Sequence, residues 1–216
     1  MKHKQIYYRN ASFAALFFVI LGYAIKFYPE QLVGFDSTIQ NAVRGDFPEL
    51  ATAFFTKITL LGNTVSVLAI CIVLAGIFYY KKWKAESYLM LASFAVMGVV
   101  STALKYLYQR PRPSIPWLMD TVGYSFPSWH TASTMMVAGA IIIVLQGRMK
   151  AGVGRLVLQV LLVLVAVLVA LSRVYLGMHY PTDLIGGWLL ALTLLWMMYP
   201  IYDQKRFEWR FQGKQK

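Results

Sequence analysis

The chain has 216 residues, of which 58% are hydrophobic and only 14% charged, with a mean hydropathy of +0.55. A soluble domain carries about a quarter charged residues, so this composition excludes an ordinary water-soluble enzyme and indicates an integral membrane protein. The net charge of +12 does not read as a nucleic-acid surface, because the basic residues fall in short blocks between apolar runs.

Six runs are long enough, at about 1.5 Å per residue, to cross about 30 Å of hydrocarbon. The first, residues 11–28, follows Lys2, Lys4 and Arg9. It ends in Lys26-Phe27-Tyr28-Pro29 rather than in a small-residue cleavage pattern, so an uncleaved helix is expected. The stretch from Pro29 to about Phe55 is too polar to span. Within it Phe35, Ile39, Ala42 and Val43 recur at helical spacing beside Asp36, Gln40 and Arg44, which predicts a short interfacial helix lying on the membrane. The second span, 60–80, holds the single cysteine, Cys71, read as a small apolar packing residue. It ends at Lys81, Lys82 and Lys84. Span three covers 88–106, and span four covers 129–146, before Arg148, Lys150 and Arg155. Span five, 156–172, is almost pure Leu, Val and Ala; span six, 182–201, precedes a basic tail. Gly186 and Gly187 in span six read as sites of close helix packing. The expected fold is all-α: one domain over 1–216, a six-transmembrane-helix bundle with a short interfacial helix in its first extracytoplasmic loop.

Alternating the sides puts fourteen basic residues, in the two termini and the loops at 81–84 and 148–155, on one side of the membrane. Seven fall on the other: Lys26, Arg44, Lys57, Lys105, Arg110, Arg112 and Arg173. Basic residues accumulate on the cytoplasmic side, so both termini are expected there. Three polar clusters at span ends then meet on the extracytoplasmic face.

In the last cluster, Pro181 suits the first position of a helix. His179 then precedes span six, and Asp183 in its first turn can hold one imidazole nitrogen, leaving the other as a nucleophile. In the middle cluster Ser128 is the expected N-cap of span four, whose free amides favour an anion. His130 faces the same space, where as a cation it can donate a proton to a departing oxygen. Lys105, Arg112 and Arg173 supply a point charge and two planar forks suited to phosphate. Arg110 is a fourth candidate, but is expected rather at the headgroup surface. No carboxylate cluster suited to magnesium accompanies these residues, and neither metal nor cofactor is expected. Tyr106, Trp117, Tyr124, Phe126 and Trp129 are candidates for the rim of a lipid entrance.

Lys105 with Arg112-Pro113, Pro127-Ser128-Trp129-His130, and Ser172-Arg173 with His179 and Asp183 together resemble the three-part signature of the type 2 phosphatidic acid phosphatase superfamily. The signature occupies residues 105–183 and the six-span layout extends the likeness over nearly the whole chain. Within the superfamily the chain is most similar to the small bacterial members acting on phosphatidylglycerophosphate, with those acting on undecaprenyl pyrophosphate close behind. Trp129 departs from the usual Pro-Ser-Gly-His, which bears on substrate fit.

The resemblance implies that His179 attacks phosphorus while Asp183 supports it. It also implies that His130 protonates the leaving oxygen, and that Lys105, Arg112, Ser128 and Arg173 hold the phosphate. A phospholipid or polyprenyl phosphate presented by the bilayer is the implied substrate. A lipid phosphotransferase is the alternative enzyme. A small transporter would instead spread its charges through the membrane depth; here they gather at one face.

Overall fold

A backbone in hydrocarbon must satisfy its hydrogen bonds internally, which for a single apolar run means an α-helix. The computed structural model describes residues 4–216, and every regular element within them is helical. Five helices are long and apolar enough to span: α1 (Lys4–Phe27), α5 (Lys84–Tyr108), α6 (Trp129–Arg148), α7 (Val153–Tyr175) and α8 (Pro181–Phe211). Lys2 of the first basic block lies outside the described residues.

The sixth span is bent. Helix α3 (Glu49–Ile58) continues through a 3-10 turn at Thr59–Gly62 into α4 (Thr64–Tyr80), and the axis turns by 55° at the join. At 17 residues α4 covers only about 26 Å, so the bent pair together makes the second crossing. The expected six-span bundle stands, with this break as its irregularity. Helix α8 packs on α1, α5 and α6, α4 packs on α5, and α7 packs on α6. Phe18, Val67, Met90, Met97, Met136 and Leu190 fill the space between them, while Phe17, Val73 and Leu161 face outward as a lipid-facing surface would require. Cys71 is a free, fully buried packing residue.

After a 3-10 turn at Pro29–Leu32, the expected short helix is α2 (Val33–Arg44). Helix α2 is amphipathic as expected, with its polar stripe turned inward. Asp36, Gln40 and Arg44 are buried, whereas Val33 and Phe35 are exposed. The polar face has a better partner than water, namely the polar ends of the spanning helices.

The close packing expected at Gly186 and Gly187 is present. A Cβ on Gly186 would collide with the Phe126 ring, and one on Gly187 would stand 3.1 Å from the Ser128 carbonyl oxygen. These glycines let α8 approach the start of α6. At the opposite end of the bundle, Glu86 is fully buried and its Oε1 pairs with Arg148 at 2.7 Å and Arg206 at 3.2 Å. Two arginines counted as free topological charges therefore also tie α5, α6 and α8 together.

Candidate active site

Four chain segments meet at the end of the bundle where α5 stops and α6 and α8 begin. Tyr180 is the N-cap of α8 and donates its amide to Asp183 Oδ2 at 3.0 Å. The carboxylate thereby points back along the chain, and the same oxygen accepts from His179 Nδ1 at 3.2 Å. Ser125 donates its hydroxyl to that oxygen too. His179 is buried, and Arg112 Nη1 stands 3.3 Å from its Nε2. A guanidinium only donates, so Nε2 carries the lone pair and Nδ1 the hydrogen.

Burial is the dominant influence on His179 and outweighs Asp183, holding the imidazole down to about 3 from its usual 6.5. The ring is thus neutral, with a lone pair available, throughout the physiological range. The unfolded chain takes up a proton at this residue near pH 6.5 that the folded ring refuses until about pH 3. Stability should therefore fall as pH drops through that window. Thermal unfolding midpoints between pH 7 and 4 will show this as a slope that His179→Gln reduces.

Three cations surround the pair. Lys105, in the last turn of α5, donates to the Tyr124 carbonyl at 2.5 Å. Arg112 also donates to the carbonyls of Val122, Gly123 and Met178 at 2.8–2.9 Å, and partial burial lowers its affinity for its own proton. Arg173 ends α7, is 4% exposed, gives Nη1 to Thr59 Oγ1 at 2.9 Å, and keeps a buried Nε with no partner. The three stand close enough to feel one another's charge, and His130 feels all of them as well as His179. None has a carboxylate partner among the described residues. Like charges gathered without counter-charge in a partly buried space are costly unless an anion joins them.

Ser128 occupies the N-cap position of α6, but its hydroxyl makes no cap bond; it accepts from Thr131 Oγ1 at 3.1 Å. The first-turn amides therefore have no side-chain cap, an arrangement suited to an anion. His130 Nε2 lies 2.8 Å from Asn63 Oδ1. All seven signature residues thus gather at one end of the bundle.

Two expectations change. Arg110 is not a headgroup residue: it is buried at 8% exposure, paired to Asp183 Oδ1 at 2.6 Å and to Asp36 Oδ2 at 2.8 Å. Asp36 Oδ1 in turn accepts the Thr182 amide at 2.9 Å. The aromatic rim is also smaller than the sequence suggests. Phe126 is fully buried under Gly186, and Trp129 packs edge-on against Phe94 of α5 at 6.0 Å. Tyr106 and Trp117 remain outward. Asp36, read only as part of the polar side of a short helix, and Ser125 are not foreseen as site residues, because the significance of each depends on a partner far along the chain.

A helical membrane bundle that holds a neutral, carboxylate-braced histidine inside a cluster of unpaired cations defines a membrane-embedded phosphatase. The PAP2 superfamily model matches residues 86–207, and the chain belongs to that superfamily. It is 32% identical to phosphatidylglycerophosphatase B of Bacillus subtilis, covering 88% of this chain and 93% of that one. It is 27% identical to an undecaprenyl-diphosphatase of Sulfolobus acidocaldarius, covering 82% and 83%. Among solved structures, the transmembrane PAP2-type phosphatidylglycerolphosphate phosphatase of Bacillus subtilis superposes with a TM-score of 0.79 at 31% identity, over 91% of this chain and 96% of that one.

Proposed function

We propose that the chain hydrolyses lipid phosphates, phosphatidylglycerophosphate foremost and phosphatidate or undecaprenyl pyrophosphate as further substrates, through a phosphohistidine on His179. The reading rests on one observation above the others. The Nε2 lone pair of a neutral, buried His179 stands beside Arg112, with Asp183 on the opposite nitrogen. In the first step Nε2 attacks the terminal phosphorus and its bond to the leaving oxygen breaks, the ester oxygen of a lipid monophosphate or the bridging oxygen of the pyrophosphate. His130, as its imidazolium, gives that oxygen its proton, and the hydrogen on His179 Nδ1 stays on that nitrogen, bonded to Asp183. In the second step water attacks phosphorus, His130 takes the proton, and the phosphorus–nitrogen bond breaks to release phosphate.

Phosphoryl transfer needs positioning and charge stabilisation more than covalent help. Lys105, Arg112, Arg173 and the capless start of α6 around Ser128 supply both without a metal. The balance of basic residues supports cytoplasmic termini and a site on the extracytoplasmic face, where a substrate keeps its chains in the bilayer. Domain-wise, residues 1–216 act as one unit, with the signature in 105–183.

Phosphate release by purified protein in excess EDTA, with each of the three lipids, tests this reading. Release should survive EDTA, disappear in His179→Ala, and fall by about 100-fold or more in His130→Ala. Release abolished by EDTA, or retained in His179→Ala, would overturn it.

A further inference from the structure

The bend in the second crossing lies outside both the three-part signature and the matched region, yet it touches the site twice. Thr59 is fully buried and its hydroxyl accepts Arg173 Nη1 at 2.9 Å. Four residues on, Asn63 is the N-cap of α4 and makes no cap bond with its side chain. Its Oδ1 is spent instead on His130 Nε2, at 2.8 Å. Between them, Gly62 is buried so tightly that a Cβ would stand 2.7 Å from His130 Cδ2 and 2.8 Å from Val169 Cγ1. Residues 59, 62 and 63, three and four apart, share one face of this turn. The turn and the 55° bend bring a hydroxyl, an absent side chain and an amide against two members of the site.

From these contacts we infer that Asn63 is the positioning residue for His130, with Thr59 serving Arg173 from the same turn. An amide oxygen only accepts, so His130 Nε2 carries the hydrogen of this bond. While the bond holds, Nδ1 is the nitrogen free to exchange a proton. An N-capping asparagine ordinarily satisfies its own helix. Here it leaves the amides of α4 uncapped and fixes one tautomer and one plane of the neighbouring ring. Gly62 admits the ring against the backbone, and the bond from Asn63 keeps it there. The function given to His130 rests on the phosphatase reading above. The tautomer and its dependence on Asn63 do not.

Two measurements on the full-length protein in detergent test this. The chain has three histidines, so nitrogen-15 imidazole labelling gives few ring signals, and His130→Gln identifies that of residue 130. The expected result is an Nε2-protonated ring in the wild type and a mixture of tautomers in Asn63→Ala. A wild-type ring protonated on Nδ1, or a tautomer unchanged in Asn63→Ala, overturns the inference whatever the enzyme's substrate.

The second measurement is the pH dependence of phosphate release from phosphatidylglycerophosphate. Asn63→Ala should lose on the order of 10- to 100-fold in kcat with KM within about threefold. Asn63→Asp, of nearly the same shape, keeps the acceptor and adds a charge that favours the imidazolium. Its alkaline limb should move up by about one pH unit. Activity of Asn63→Ala within threefold of wild type, or losses in both variants with neither limb displaced, overturns the positioning role. No release by the wild type from any of the three lipids would count against the proposed function instead, and the nitrogen-15 result would still decide the inference.

Discussion

Arg110→Ala should be among the most destabilising single truncations at the site end of the molecule, at about 3–5 kcal/mol. The guanidinium forks between Asp36 and Asp183, which are 2% and 0% exposed, and its Cζ lies 4.0 Å from the Tyr180 ring centre. Removing it leaves two buried carboxylates with no cation between them. Asp36 keeps its direct bonds from the Thr182 amide and hydroxyl at the start of α8, both at 2.9 Å, but loses the cation that offsets its charge. Lower thermal midpoints in detergent, with activity lost in parallel, are the expected signs. Arg110→Lys keeps the charge but cannot reach two carboxylates with a planar fork, so it should recover only part of the loss. Adding Asp36→Asn to Arg110→Ala should restore some stability, because it neutralises one of the two stranded charges. A double-mutant cycle on the midpoints would measure this coupling, and strictly additive losses would refute the clamp.

Asp183→Asn should lower kcat by about 10⁴ with a much smaller change in KM, by analogy with the same exchange beside a catalytic histidine in serine proteases. One carboxylate oxygen accepts from the Tyr180 amide, the Ser125 hydroxyl and His179 Nδ1, and the other accepts from Arg110. An amide cannot serve both sides. If its NH2 group faces Arg110, two donors oppose each other. If it faces His179, the imidazole must accept on Nδ1 and carry its hydrogen on Nε2, so the lone pair meant for phosphorus is lost. Single-turnover phosphate release separates this chemical defect from weaker binding. A variant with wild-type kcat would show that Asp183 only shapes the loop.

The spanning helices were legible because about 18 apolar residues in a row admit one conformation in hydrocarbon. The seven signature residues were legible because their types and spacing, taken together, resemble the superfamily's three-part signature. What the sequence concealed was the layer behind them. Arg110 and Asp36 are 74 residues apart, and each looks like an ordinary interfacial charge until the fold joins them. Asn63 is a helix cap by position, and nothing local reveals that its side chain serves another helix. The 3.6-residue period predicted α2 but not which face turns inward. That choice depends on what lies beneath the helix, and here it is a polar site rather than hydrocarbon. Trp129 seemed destined for the entrance for a similar reason: an aromatic at a span end can face either lipid or a neighbouring helix, and Phe94 sits where it can be met.

The inward stripe of α2 makes that helix a coupling between two very different media. Its outer face offers Val33 and Phe35 to the surroundings, where acyl chains and headgroups press on it. Its inner face ends, through Asp36 and Arg110, on the same carboxylate that steadies His179. One helix thickness thus separates that outer face from the carboxylate that braces the proposed nucleophile.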